Sequence, residues 1–163
     1  MRRNNDILIL GLGNEVLGDE SLGIDLVKEL EIQDNYPLTD YRFSYIGGLE
    51  LLEFIQDYTK LVIIDTIESA DGTEGSVRVM NTDDYRETLH LSSPHDMSFN
   101  TALLMGRKLG FSIPEQIMII AIEIIPDLTL RNTLRENIQN NFEGILSETR
   151  NHIEQFVSIT HNC

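Results

Sequence analysis

The sequence predicts an α/β domain of three layers, with helices on both faces of a mainly parallel sheet. Three observations predict it. Apolar runs such as Ile7-Leu8-Ile9-Leu10, Leu61-Val62-Ile63-Ile64 and most of residues 116–125 read as strands buried on both faces. Segments of helical period lie among them, as in Leu22, Leu26 and Leu30. Turn residues separate the two kinds at short intervals, and strands alternating with helices build a parallel sheet. A chain of 163 residues suits a single domain, 1–163, with a sizeable core.

The first strand is expected at residues 7–11. It breaks at Gly11 and Gly13, where a tight turn can form. Asn14 and the acidic pair Asp19-Glu20 follow, and the first helix is expected at 20–32, placing two carboxylates at its entrance. Asn35-Tyr36-Pro37 is turn chemistry. Tyr41 to Ile46 alternates ring and polar residue as a short strand and ends at Gly47-Gly48, a backbone-permissive loop. Leu51, Leu52 and Ile55 begin a short helix. The strand at 61–64 ends on Asp65. After a turn at Asp71-Gly72 and Gly75, residues 76–80 alternate as a half-exposed strand whose short connection favours antiparallel pairing at a sheet edge.

Residues 81–91 are polar and irregular. Ser92-Ser93-Pro94-His95-Asp96 reads as a helix N-terminus, with a serine cap and an early proline, and Gly110 closes that helix after Leu109. Residues 116–125 form the most apolar strand, interrupted by Glu123 and closed by Pro126. From Leu130 onward a helical period through Leu134, Ile138, Phe142, Ile145, Leu146, Ile153 and Phe156 predicts one long helix, or two broken near Gly144.

Twelve basic against 27 acidic residues give a formal charge of −15. A field of that sign repels phosphate backbones and disfavours nucleic acid as a partner. It is compatible with cations or a basic partner segment, and equally with solubility alone. The one cysteine, Cys163, is the last residue, so no disulfide within the chain and no Cys-x-x-Cys site is possible. Arg2 and Arg3 precede the first apolar run, but that run soon meets Asn14, Glu15, Asp19 and Glu20 without a small-residue cleavage pattern. No segment has the roughly 18–20 apolar residues of a membrane span. The expected location is the cytoplasm.

Three titratable groups fall at equivalent places in this layout. Glu20 follows the first strand, Asp65 ends the third, and His95 opens the helix after the edge strand. The ends of parallel strands converge on one rim, where ligands of open α/β sheets bind. Two carboxylates and an imidazole suit a borderline divalent ion such as nickel or zinc, with coordination positions left open. Each residue also has a plainer explanation: Glu20 as a dipole or capping acid, Asp65 as a turn residue, His95 as a polar first-turn residue. Other schemes fit less well. There is no Gly-x-Ser-x-Gly elbow and no phosphate loop ending in Lys-Ser/Thr. Gly11-x-Gly13 begins a dinucleotide fingerprint, but position 16 is Val, and the second strand ends in Gly47-Gly48 rather than an acid.

Gly11-Leu12-Gly13-Asn14 followed by Asp19-Glu20-Ser21-Leu22-Gly23 resembles the N-terminal motif of the nickel-iron hydrogenase maturation endopeptidases. The resemblance continues through Gly47-Gly48, Ile63-Ile64-Asp65 and Ser93-Pro94-His95 at matching spacing. It implies a phosphorylase/hydrolase-like α/β/α fold with a five-stranded twisted sheet. It further implies a nickel-recognising endopeptidase that removes the C-terminal extension of a hydrogenase large-subunit precursor after nickel insertion, letting the subunit close over its metal centre. Glu20, Asp65 and His95 then engage the nickel, which the substrate presents; zinc or cadmium can take its place in a crystal. Asp19 serves as a helix cap or support to Glu20. Asn14, Gly47 and Gly48 are expected to contact the substrate tail, and the enzyme to act as a monomer. The chain departs from the family where Glu123-Ile124-Ile125-Pro126 replaces a glycine-containing strand end, and in the polar Asp96-Met97-Ser98-Phe99.

Three other classes stay open on sequence alone, the last a plain nucleotide-binding domain on the fold argument alone. A nickel-binding or chaperone module of the same fold would bind the large subunit without shortening it. A peptidyl-tRNA hydrolase shares the Gly-x-Gly-Asn strand end. It expects a histidine soon after that motif and a basic surface, whereas the first histidine here is His90 and the charge is −15.

Overall fold

A computed structural model describes residues 6–34, 36–45, 47–85, 97–127 and 129–158. Nine elements organise them. β1 (Ile7–Leu12) is buried along its whole length and leads through a 3₁₀ turn, Gly18–Ser21, into α1 (Leu22–Gln33). β2 (Thr39–Ser44) and a second 3₁₀ turn, Gly48–Glu50, lead into the short α2 (Leu51–Ile55). β3 (Lys60–Ile67) and β4 (Val77–Met80) precede α3 (Phe99–Leu109). β5 (Gln116–Glu123) and α4 (Glu136–Ser158) complete the order.

The five strands lie in the order β2-β1-β3-β5-β4. β2, β1, β3 and β5 are parallel, and β4 closes the edge antiparallel to β5, as its short connection favours. One face packs Ile9, Val62, Ile64, Ile120 and Ile122 against α1 and α4 through Leu22, Leu26, Ile145 and Ile153. The other packs Leu8, Leu10, Ile63 and Ile119 against α2 and α3 through Leu51, Ile55, Phe99 and Leu103. Helices on both faces make the three expected layers. Residues on alternate sides of β1, β3 and β5 serve two cores, which is why these strands read as unbroken apolar runs.

This order has one functional consequence. The chain leaves β1 for β2 on one side and returns to β3 on the other. The reversal leaves a crevice at the carboxyl ends of β1 and β3, where open sheets bind ligands.

Several boundaries differ from the sequence reading, each for a tertiary reason. The first α-helix starts at Leu22, because Gly18–Ser21 is a 3₁₀ turn. α3 starts at Phe99, capped by the extended Ser98, whose hydroxyl accepts from the Thr101 N–H at 3.3 Å. The cap of α3 is therefore Ser98, and residues 92–96, where the sequence places a helix N-terminus, lie outside the described residues. Gly110 at φ 84° ends α3 in the left-handed region, as expected. The last helix is one helix and starts at Glu136 instead of near Leu130. The residues before it are diverted into pairing with the turn after β1, where Leu17 and Arg131 form a parallel bridge. Asp65 is not at the end of its strand: Thr66 and Ile67 continue β3, and Asp65 pairs in register with Ala121. Among the described residues no helix is long and apolar enough to cross a membrane.

Candidate functional site

The glycines after β1 act through their size rather than through turn geometry. Gly11 lies within β1, and neither it nor Gly13 has positive φ. A Cβ on Gly11 would lie 2.5 Å from the Gly23 carbonyl oxygen, and one on Gly23 2.4 Å from that of Leu12 and 2.5 Å from that of Ile64. The first turn of α1 thus sits directly on the ends of β1 and β3. A Cβ on Gly13 would lie 2.3 Å from the Glu20 carbonyl oxygen, which instead accepts the Asn14 N–H at 3.1 Å. The turn closes on itself and fixes the Glu20 backbone. The Asn14 side-chain oxygen accepts from the Val16 N–H at 3.1 Å and so serves this turn.

Among the described residues Glu20 is held through its backbone. Its carboxylate makes no hydrogen bond to a described residue, and it is only partly buried. Burial pushes its carboxyl above the ordinary carboxylate value, and the negative charges of Glu68 and Asp65 push it further in the same direction. The structure therefore brings Glu20 and Asp65 into one field at the switch point, and adds Glu68 from the loop after β3. Its neighbour Asp19 behaves differently: it is 3% exposed and bound by Arg135. The two carboxylates of the opening motif thus divide, Asp19 to structure and Glu20 to the open rim.

Asp65 is fully buried and its carboxylate is oriented from two sides. Oδ1 accepts the Thr66 N–H at 2.8 Å and Oδ2 accepts the Tyr85 hydroxyl at 2.6 Å. Tyr85 is itself buried, its ring set edge-on to Phe99 at 6.1 Å. Gly47 is extended, while Gly48 has φ +62° and lies against Met97, whose carbonyl oxygen would be 3.1 Å from an added Cβ. His95 lies outside the described residues. Among the described residues no group of three or more His, Cys, Asp or Glu side chains is arranged to hold a metal ion. What the described rim contains is Glu20 in the field of Asp65 and Glu68.

Comparison with known proteins gives this rim its context. The family model described as hydrogenase maturation protease (HycI) matches residues 46–151. The chain belongs to the hydrogenase maturation protease family. It is 28% identical over 151 residues to the hydrogenase 2 maturation protease of Escherichia coli, covering 88% of this chain and 90% of that one. The fold is shared with the solved structure of the hydrogenase-maturating endopeptidase HybD from E. coli. That likeness has a TM-score of 0.68 at 24% identity, over 91% of this chain and 92% of that one. A hydrogenase maturation protease from Thermococcus kodakarensis superposes with a TM-score of 0.64 at 17% identity, over 90% of each chain. As a maturation protease the chain is a hydrolase of peptide bonds, and the α/β sandwich expected from its sequence is the fold of these solved relatives.

Three residues around the protease's rim escaped sequence reasoning, and a fourth, Glu123, was marked there without a role. Glu68 follows β3 with no pattern to mark it. Tyr85 lies in a stretch without periodicity. Glu123 stands out in an apolar strand but without a partner in sight. In the fold it is buried and accepts from Ser69 through the backbone N–H at 2.5 Å and the hydroxyl at 2.7 Å, anchoring the loop that carries Glu68. Arg135 carried one signal: a cation just ahead of a helix N-terminus opposes the helix dipole, so a tertiary partner must offset it.

Proposed function

We propose that this chain, as a cytoplasmic monomer, removes the C-terminal extension of a nickel-iron hydrogenase large-subunit precursor after nickel insertion. What supports the reading is the Glu20 carboxylate, presented by a backbone-fixed turn, with no hydrogen bond to another described residue and in the field of Glu68 and Asp65. A divalent cation arriving at this rim relieves that repulsion, so the site favours a precursor that already contains its metal over one that does not. Glu20, Asp65 and His95 are the protease's contribution to the shell of that substrate nickel. Asp65 enters it pre-oriented by Thr66 and Tyr85. The chain on either side of the segment containing His95 is tied to this rim, through Tyr85 to Asp65 and through Met97 to Gly48. Carboxylates, imidazole and open positions suit nickel or zinc.

The chemistry divides between substrate and protease. The substrate's metal fixes the scissile bond beside the rim and draws electron density from its carbonyl. Where the metal serves only to dock the precursor, a rim carboxylate instead acts as base toward the attacking water. The extended, partly exposed Gly47 leaves backbone accessible for an extended tail, while Gly48 is buried against Met97 and shapes the loop.

The test is incubation with a cognate large-subunit precursor, nickel-loaded and nickel-free, read by mass spectrometry. Nickel-dependent loss of one C-terminal peptide is the expected result. Cleavage of the nickel-free precursor would overturn metal gating, and binding without shortening would make this a non-proteolytic module. Glu20→Gln, Asp65→Asn and His95→Ala are each expected to slow cleavage strongly. Wild-type rates in all three would remove the site assignment.

A further inference from the structure

We infer that Arg135 is a positioning residue of the cleavage reaction, clamping the loops after β1, β3 and β5 so that Glu20 is held at the rim. The inference rests on the role of Glu20 proposed above. Arg135 immediately precedes α4 and reaches all three loops. Its backbone N–H donates to Asp19 Oδ1 at 2.7 Å and its Nε donates to Asp19 Oδ2. Its Nη2 donates to Glu74 Oε1 at 2.6 Å and to the Ile125 carbonyl oxygen at 3.1 Å. Asp19 adjoins Glu20, Glu74 shares the β3–β4 loop with Glu68, and Ile125 follows β5.

The same segment straps the turn that presents Glu20. The Gly18 N–H donates to the Arg131 carbonyl at 2.8 Å, and the Arg131 N–H to the Val16 carbonyl at 3.0 Å. Gly13 and Asn14 hold the turn from within, while Arg131 and Arg135 hold it from outside. Two loops that present like charges, Glu20 and Glu68, repel each other, and one cation bonded to an acid of each loop, Asp19 and Glu74, resists that separation. A guanidinium can do this where an ammonium cannot, because its planar fork meets two carboxylates and a carbonyl in fixed directions. Because the Glu20 carboxylate has no hydrogen bond of its own to a described residue, its position is inherited from Asp19 and the turn.

The test is single-turnover cleavage of the nickel-loaded precursor with enzyme in excess, so that slow variants are still timed. Each variant is assayed below its melting temperature with its fold verified by circular dichroism. Arg135→Gln is expected to lose about tenfold or more in rate, since a sub-ångström shift of a reacting group is sufficient for that. Arg135→Lys recovers only part of it. In a Glu20→Gln background, Arg135→Gln is expected to cost less than about twofold more, because the group it positions is gone. A merely structural arginine would slow both backgrounds equally, and that result overturns the proposal. A folded Arg135→Gln enzyme with the wild-type rate overturns it too, as does failure of both Arg135 variants to fold. If Glu20→Gln itself cleaves at the wild-type rate, the reading of Glu20 falls and the clamp with it. A slow Glu20→Gln beside a fast Arg135→Gln removes the clamp alone.

Discussion

Adding one methyl group at Gly13 tests whether the site depends on contact between two backbones. In Gly13→Ala the new Cβ would lie 2.3 Å from the Glu20 carbonyl oxygen, where ordinary contact begins at 3.4 Å. Neither atom is on a flexible side chain, so the strand end and the Glu20 turn must separate by about 1 Å. The separation also stretches the Asn14 N–H bond to Glu20, now 3.1 Å. Overpacking of this kind costs about 1–3 kcal/mol. For a chain of this size each kcal/mol lowers the melting temperature by about 2–4 °C, so the midpoint should fall by several degrees. A displacement of about 1 Å at a reacting group can cost on the order of 100-fold in rate. The variant should therefore remain folded at room temperature yet cleave the nickel-loaded precursor on the order of 100-fold more slowly. Thermal melts by circular dichroism and timed mass spectrometry of the precursor measure the two effects. A Gly13→Ala enzyme with unchanged melting and unchanged cleavage would refute the close-contact account of the motif.

Two further outcomes follow from the same geometry. Tyr85→Phe keeps the ring packed on Phe99 but leaves the fully buried Asp65 without its hydroxyl donor. It should lose about 1–3 kcal/mol by denaturant titration and also slow cleavage; equal stability would show that the hydrogen bond is not holding Asp65. Glu20→Gln should change the pH dependence of stability. Burial, then Glu68 and Asp65, raise the folded-state pKa of Glu20 above its ordinary 4.5, so the folded protein holds this proton where the unfolded chain has released it. Stability then falls as pH rises through that window, and the loss persists above it. The variant should gain in melting temperature relative to wild type as pH rises past about 4.5, and a difference that does not change with pH would contradict the assignment.

Much of the fold was legible because it is written in local pattern. The unbroken apolar runs of β1, β3 and β5 announce strands covered on both faces. Leu22, Leu26 and Leu30 announce the buried stripe of α1, the alternation at 76–80 announces an edge, and Gly110 announces a helix end. Boundaries failed where a distant partner took over. Leu130 and Leu134 keep the helical period, but Arg131 pairs with the turn after β1 instead, and α4 waits until Glu136. Glu20 and Asp65 were legible as candidates because each follows or interrupts an apolar strand near its carboxyl end.

The sequence by itself determined the class of fold, through its apolar periodicities, and the family, through the resemblance of its motifs, and it offered Glu20, Asp65 and His95 as candidates. The tertiary structure alone decided which carboxylates share a field. That depends on β1 lying between β2 and β3, so that the ends of β1 and β3 meet at the reversal. It also separated Asp19 from Glu20, adjacent acids that no local rule distinguishes, by bringing Arg135 across 116 residues to one and leaving the other open. And it turned the glycines of the motif from presumed turn-formers into contact points. Whether a glycine is needed for its backbone freedom or for its missing Cβ is settled by what stands opposite it in space.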